Sequence, residues 1–302
     1  MTAARMPAIC LVATPGKRQT QIDTAVEAER LGFTGVFCPS FGDALGMSLS
    51  IAHATSTIEI GTSIQPIYFQ HPVQLASQAA HLHEVSKGRF KLGIGVSHDP
   101  VLDRMSLDRT TPLSDMRAYV ASMRTAEKQT GTLPPIVLAT MRQKMLDLAI
   151  EVADGAVWAN AARSAMAGQL ASVPAERREN FFIGDMIPTV LDDDRAAAAA
   201  VCRKSLIMYV TLPNYRNYWH DNGFAEEMDA IASALERKDR DALPGLMPDH
   251  WLDEVVLYGT AMQVRDGLEK WFDAGMRTPI LVPSSTTGGQ AKAIAELFAA
   301  FS

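Results

Sequence analysis

The 302-residue sequence predicts a (β/α)8 barrel, a TIM barrel, interrupted by a helical insertion between its seventh and eighth strands. Three observations carry that expectation. Eight short apolar segments alternate with helical stretches, which implies parallel strands joined by right-handed crossovers. Eight such units in one chain favour closure into a barrel. The turn after the first strand, Ala13-Thr14-Pro15-Gly16-Lys17-Arg18, lacks the glycine triplet that marks an open dinucleotide-binding sheet.

Taken in order, the first strand covers residues 7–14, and Thr20 with Asp23 reads as a capping box opening a helix that ends at Gly32. The second strand covers 34–39, followed by a helix over about 43–54. The third covers 58–66 and leads to Pro72, a favoured first helical position; that helix stops at Gly88. The fourth runs through Phe90, Leu92, Ile94 and Val96, alternating with Lys91 and two glycines. It ends at Ser97-His98-Asp99-Pro100, and a loop of about a dozen residues follows, long enough to suggest function. The next helix carries Met116, Tyr119, Val120 and Met123 at helical spacing. Strands over 135–140, 155–160 and 181–191 come next, with Pro188 expected to bend or end the last of them. The eighth strand covers 279–283, and a helix bearing Ile294, Leu297, Phe298 and Phe301 closes the chain. Residues 192–278 separate strands seven and eight by far more than one helix. Because the eighth strand follows them, they read as an insertion within one domain spanning 1–302.

Hydrophobic residues make up 47% and charged residues 21%, which supports a large core and argues against disorder. A net charge of -6 argues against a nucleic-acid partner. Cys10, Cys38 and Cys202 are odd in number and far apart, so neither a disulfide framework nor a metal pair is expected. No apolar run of signal-peptide or membrane-spanning length occurs, so a cytoplasmic protein without a membrane partner is expected.

In a barrel the C-terminal strand ends converge on one mouth. Here they offer Thr14, Cys38-Pro39-Ser40-Phe41, Thr62-Ser63-Ile64-Gln65, Ser97-His98-Asp99, Thr140-Met141-Arg142 and Trp158-Ala159-Asn160. Hydroxyls and amides dominate and carboxylates are few. Nothing suits glycoside hydrolysis by paired acids, metal ligation or a serine nucleophile on an elbow. Such a mouth suits a large neutral-to-anionic ring system, with a cofactor carrying the redox chemistry. Gly93 and Gly95 leave space for a close approach to the backbone at the end of the fourth strand.

Gly61-Thr-Ser-Ile with His71-Pro72, followed by Gly88-Arg-Phe-Lys-Leu-Gly-Ile-Gly-Val-Ser-His, resembles the bacterial luciferase-like flavin and deazaflavin oxidoreductases. Lys144-Met145-Leu-Asp-Leu-Ala, Ala153-Asp154-Gly155-Ala156, Leu212-Pro-Asn-Tyr and Gly259-Thr260 through Ala274-Gly275 extend the likeness over nearly the whole chain. The Leu212 segment and the Val96-Ser97-His98 ending resemble members that use the deazaflavin coenzyme F420 more than the FMN-dependent monooxygenases. The resemblance implies a commonly dimeric barrel, with the cofactor ring at its mouth and a hydride passed to or from a small organic substrate. An FMN-dependent monooxygenase and a flavin-binding barrel without catalysis are the alternatives.

The family's pattern maps a non-proline cis peptide onto Ser63-Ile64, against a plain trans strand end. His98 falls where deazaflavin enzymes carry an acid beside the reactive carbon; a loop histidine capping its neighbours beside Asp99 is the other reading. Ser97 and Val96 are expected at the ring or its side chain, and Ser40, Thr62, Ser63, Ile64, Thr140 and Trp158 are expected among the cofactor-binding residues. Asn160 and Ala161 open a helix whose free backbone amides suit a phosphate, and Asn160 also suits an N-cap. Ser40-Phe41 replaces the family's Asp-His pair, with Phe41 suited to stacking or to core packing. Arg142 suits an anionic tail or a solvated first turn. Tyr209, Tyr215, Tyr218, Trp219 and His220 form an aromatic patch in the insertion, suited to a lid or to packing.

Overall fold

The computed structural model describes residues 5–40, 42–107 and 111–302. Its strands are β1 Ala8–Cys10, β2 Gly35–Cys38, β3 Glu59–Thr62, β4 Gln65–Pro66, β5 Phe90–Gly95, β6 Ile136–Ala139, β7 Gly155–Ala159, β8 Phe182–Leu191, β9 Leu257–Gly259 and β10 Thr278–Ser284. The helices used below are α1 Arg18–Arg30, α2 Ala44–Ala54, α3 Pro72–Val85, α4 Asp99–Arg104, α5 Pro112–Thr130, α6 Gln143–Val152, α7 Arg163–Leu170, α8 Ala175–Arg178, α9 Arg195–Val210, α10 Pro213–Asp221, α11 Ala225–Glu236, α12 Asp249–Val255, α13 Ala261–Asp273 and α14 Gln290–Phe301. The fold class is the (β/α)8 barrel that the alternation predicts.

The chain parts into two units, one comprising Met1–Trp158 with Val173–Gly184, the other Ala159–Ser172 with Asp185–Ser302. In the first unit the ladder is parallel throughout. Phe37 lies opposite Gly61, Gly61 opposite Lys91, Gly93 opposite Val137 and Leu138 opposite Ala156. One face of this ladder is built around two phenylalanines. A Cβ on Gly61 would lie 2.6 Å from the Phe37 ring, and one on Gly155 would lie 2.4 Å from the Phe182 Cβ. Gly61 makes room for the Phe37 ring and Gly155 for the backbone and Cβ of Phe182; the two ring centroids are 5.6 Å apart. Beside them Lys91 pairs with Glu59 at 2.7 Å.

The helices follow from sequence-local rules. Asp43 caps α2 by accepting the Gly46 amide at 2.8 Å. The spacing in α5 buries Met116, Tyr119, Val120 and Met123. Arg89, just before β5, donates to the carbonyls of Ala52, Thr55 and Ile58, so one guanidinium ties the end of α2 to the next strand. The helix α1 starts at Arg18, two residues before the expected cap, with Lys17 as an N-cap that makes no side-chain cap bond; Gln19 donates to Asp23 at 2.9 Å. The expected loop after β5 contains α4, with Pro100 in its first turn, where the missing amide costs nothing.

In the second unit β8 runs unbroken through Pro188 to Leu191, and Thr189 lies opposite Leu257 of β9. The strand β9 lies inside the segment read as a purely helical insertion. Three residues are too short for periodicity to reveal. A capping box of Thr260 and Gln263 starts α13, which buries Val264, Leu268 and Trp271. Among the described residues no helix is long and apolar enough to cross a membrane.

Candidate active site

In the first unit the end of β3 is bent by a cis peptide between Ser63 and Ile64, as the resemblance implied. The chain then pairs again as β4 beside β5, Gln65 opposite Ile94. Gly93 and Gly95 accommodate this bend. A Cβ on Gly93 would lie 2.0 Å from the Thr62 carbonyl oxygen, and one on Gly95 would lie 2.8 Å from the Ile64 Cδ1. Both glycines thus give room to the neighbouring strand of the chain itself.

β5 ends at Gly95, and Ser97 turns with φ +66°, a left-handed backbone that serine seldom adopts. That turn presents His98 just ahead of α4, whose first-turn amides of Val101 and Leu102 donate to the His98 carbonyl. The imidazole is half-buried. Burial pushes its pKa below the ordinary histidine value, and the Asp99 carboxylate only partly restores it. Burial thus favours the neutral form of the ring.

The expected cofactor residues divide by what their polar atoms do. The hydroxyls of Ser40, Ser63 and Ser97 lie at the ends of β2, β3 and β5. Thr62 Oγ1 donates to the Gly93 carbonyl at 2.7 Å, and Thr140 Oγ1 lies 3.5 Å from the Arg142 carbonyl, so both hydroxyls serve the scaffold. Val96 is half-buried. Trp158 is 1% exposed and sits, by strand alternation, on the face opposite Gly155 and Phe182. It packs in the core. Phe41 lies outside the described residues. Burial pushes the thiols of Cys38 and Cys202 up to about 12 and that of Cys10 higher, so none of these free cysteines is a thiolate near neutrality.

The loop leading into α7 belongs to the second unit. Asn160 takes φ +58°, and Ala162, not Asn160, is the N-cap. The amides expected to be free are engaged. Asn160 N donates to the Met186 carbonyl at 3.1 Å, Ala161 N to Asp185 Oδ1 at 3.4 Å and Ala162 N to the Tyr218 hydroxyl at 3.1 Å. Trp219 Nε1 donates to the Asn160 carbonyl at 3.1 Å, so part of the aromatic patch works as packing beneath this loop. Asn160 Nδ2 and Asp185 Oδ2 are buried without a hydrogen-bond partner. Burial pushes the Asp185 carboxyl well above the ordinary carboxylate value. Asp185 escaped the sequence reading, although an acid inside an apolar strand is a signal that such a reading can use.

The hydroxyls of Ser40, Ser63 and Ser97 and the half-buried His98 thus lie at strand ends of the first unit. Residues 10–278 match the model of the luciferase-like monooxygenases, and the chain belongs to that family. Its members are oxidoreductases and monooxygenases that use F420 or flavin, and this chain is an enzyme of that class. A Mycobacterium tuberculosis protein provisionally named a coenzyme F420-dependent oxidoreductase is 26% identical over 333 aligned positions, covering 93% of this chain and 94% of that one. The structure of coenzyme F420-dependent tetrahydromethanopterin reductase from Methanopyrus kandleri matches with a TM-score of 0.76 at 19% identity over 98% of both chains. EDTA monooxygenase from Chelativorans sp. matches at 0.69 and 12% identity, covering 98% of this chain and 93% of that one. At these identities the structural likeness establishes the fold.

Proposed function

We propose that the chain is a deazaflavin-dependent oxidoreductase that moves a hydride between coenzyme F420 and a small organic substrate. The observation that carries this reading is the half-buried, neutral His98 set by the left-handed turn at Ser97 at the end of β5. The strand-end hydroxyls suit the group: Ser40, Ser63 and Ser97 offer hydrogen bonds without a competing fixed charge of their own, as a ring rich in carbonyls requires. Ile64 and Val96 supply apolar contact beside them. When bound, the cofactor supplies a carbon centre that takes or gives a hydride. His98 accepts the proton that a substrate hydroxyl releases as its carbon loses hydride, and returns it in the reverse direction.

The M. tuberculosis relative and the M. kandleri reductase, whose names both carry F420, support this cofactor. The likeness to EDTA monooxygenase supports a monooxygenase as the second reading, one that would take FMN. Titrating the purified protein with F420 and with FMN, each followed by fluorescence, separates them. Selective binding of F420 is expected. Selective binding of FMN would transfer the assignment to an FMN-dependent monooxygenase, and binding of neither would overturn both.

A further inference from the structure

The loop 160–162 ahead of α7 is closed on β8 and α10 through each of its amides, which donate to the Met186 carbonyl, to Asp185 Oδ1 and to the Tyr218 hydroxyl. The Trp219 indole holds it as well, by donating to the Asn160 carbonyl. The closed loop is costly in three places. Asn160 keeps a left-handed backbone at φ +58°. Its Nδ2, on a residue 2% exposed, has no hydrogen-bond partner, and neither has Asp185 Oδ2, on a residue wholly buried. Water satisfies both atoms once the loop moves aside, so closure holds by a balance and not by a surplus.

One proton tips that balance. A neutral carboxyl can stay in such a place, whereas a carboxylate there needs a counter-charge. The titratable groups that face Asp185 are the phenols of Tyr215 and Tyr218 on α10, and burial pushes both up, so they stay neutral while a carboxyl titrates. Besides them the carboxyl meets the amides of Ala161 and Met186, and among the described residues no cation offsets its burial. Arg163, the next cation along the chain, is paired with Glu254 of α12, which also accepts the Ser164 amide at 2.7 Å.

We propose that Asp185 is a proton-dependent latch on the loop 160–162: protonated, it lets the loop stay closed on β8, and once it loses the proton the loop opens to admit water while the rest of the unit stays folded. Opening hydrates the carboxylate and the Asn160 amide together and releases Asn160 from its left-handed backbone, so the three costs of closure are relieved by one movement. The device is local because its parts are the loop, β8 and the phenols of α10, all within the second unit.

Amide hydrogen exchange followed by NMR tests the latch, with protection taken at each pH relative to the intrinsic exchange rate. As pH rises from the ordinary carboxylate value of 3.8 towards the ordinary phenol value of 10.0, the Ala161 and Ala162 amides of the wild type are expected to lose protection by about tenfold or more beyond any loss at Leu268 in α13. In Asp185→Asn, which keeps an acceptor for Ala161 N and cannot ionise, their protection is expected to stay level. Level protection in the wild type overturns the proposal, and so does the same loss in Asp185→Asn. An equal loss at Leu268 overturns it too, because the whole unit then loosens and not the loop. A second measurement uses the wild type alone and stands even if the variant does not fold. In protein carrying isotope-labelled aspartate, the Asp185 carboxyl carbon is expected to titrate with the same midpoint as the loss of protection. Titration at the ordinary carboxylate value, or titration without opening, overturns the latch. Neither readout needs a cofactor, so a failure of the deazaflavin reading leaves both decisive.

Discussion

Thr62 and Gly93 hold each other at the end of β3: the Thr62 hydroxyl donates to the Gly93 carbonyl at 2.7 Å, and the Thr62 carbonyl lies 2.0 Å from where a Gly93 Cβ would stand. The contact is backbone against backbone, so no side-chain rotation relieves an added methyl. Gly93→Ala is expected to lower stability by about 2–4 kcal/mol, the upper range for overpacking, in chemical denaturation. Gly168→Ala, on α7 with open space around the position, is the control and is expected to be neutral or slightly stabilising. Equal stability of Gly93→Ala and the wild type would show that the bend beside β5 yields.

His98 has a pKa below the ordinary histidine value because burial outweighs Asp99. The sign follows. The neutral ring contributes stability that is present above the unfolded-state value and is lost as pH falls through the folded-state value. In NMR spectra of isotope-labelled histidine, one ring is expected to titrate below 6.5 and to vanish in His98→Ala. The same substitution is expected to slow turnover about a hundredfold or more while cofactor affinity changes little. Unchanged turnover would remove His98 from the chemistry.

Asp185 titrates in the opposite sense. Burial raises its folded-state pKa well above 3.8, so its contribution is fully present below the unfolded value and is lost as pH rises through the folded value. Melting temperatures followed upward from the ordinary carboxylate value of 3.8 are expected to fall in the wild type and to stay flatter in Asp185→Asn. The amide keeps an acceptor for Ala161 N and cannot ionise. Asp185→Leu is expected to cost about 1–3 kcal/mol at every pH, because the Ala161 amide loses its acceptor.

Glu29, on α1, accepts the amides of Ser56, Thr57 and Ile58 at 2.8, 2.6 and 2.9 Å. These bonds outweigh desolvation and hold its pKa at about 2. The stability it confers is present above its unfolded value of 4.5 and is lost as pH falls through about 2. Glu29→Ala is expected to cost about 1–3 kcal/mol at pH 7 and less as acid denaturation is approached. A constant difference from pH 7 to pH 2 would show that Glu29 acts by packing.

Much of this protein can be read along the chain. The alternation of strands and helices, the burial of Met116, Tyr119, Val120 and Met123 and the caps at Asp43 and Thr260 are local, because helix and strand periods and capping bonds span few residues. The family pattern also carried the cis bond at Ser63-Ile64. The candidate site was legible as a set of strand ends and not as a set of available groups. Thr62 and Thr140 turned out to spend their hydroxyls on backbone carbonyls, and Trp158 to face the core.

What tertiary structure alone decided is which polar groups are already satisfied. Glu254 is 90 residues from Ser164, and Tyr218 is 56 from Ala162. No periodicity or cap rule links positions so distant, since only the packed fold brings them within hydrogen-bond reach. Desolvation, which keeps His98 neutral and raises Asp185, likewise exists only once the chain has excluded water around them. Sequence determined the fold class, its elements and the residues at the strand ends; packing determined which of those residues still have a hydrogen bond to offer.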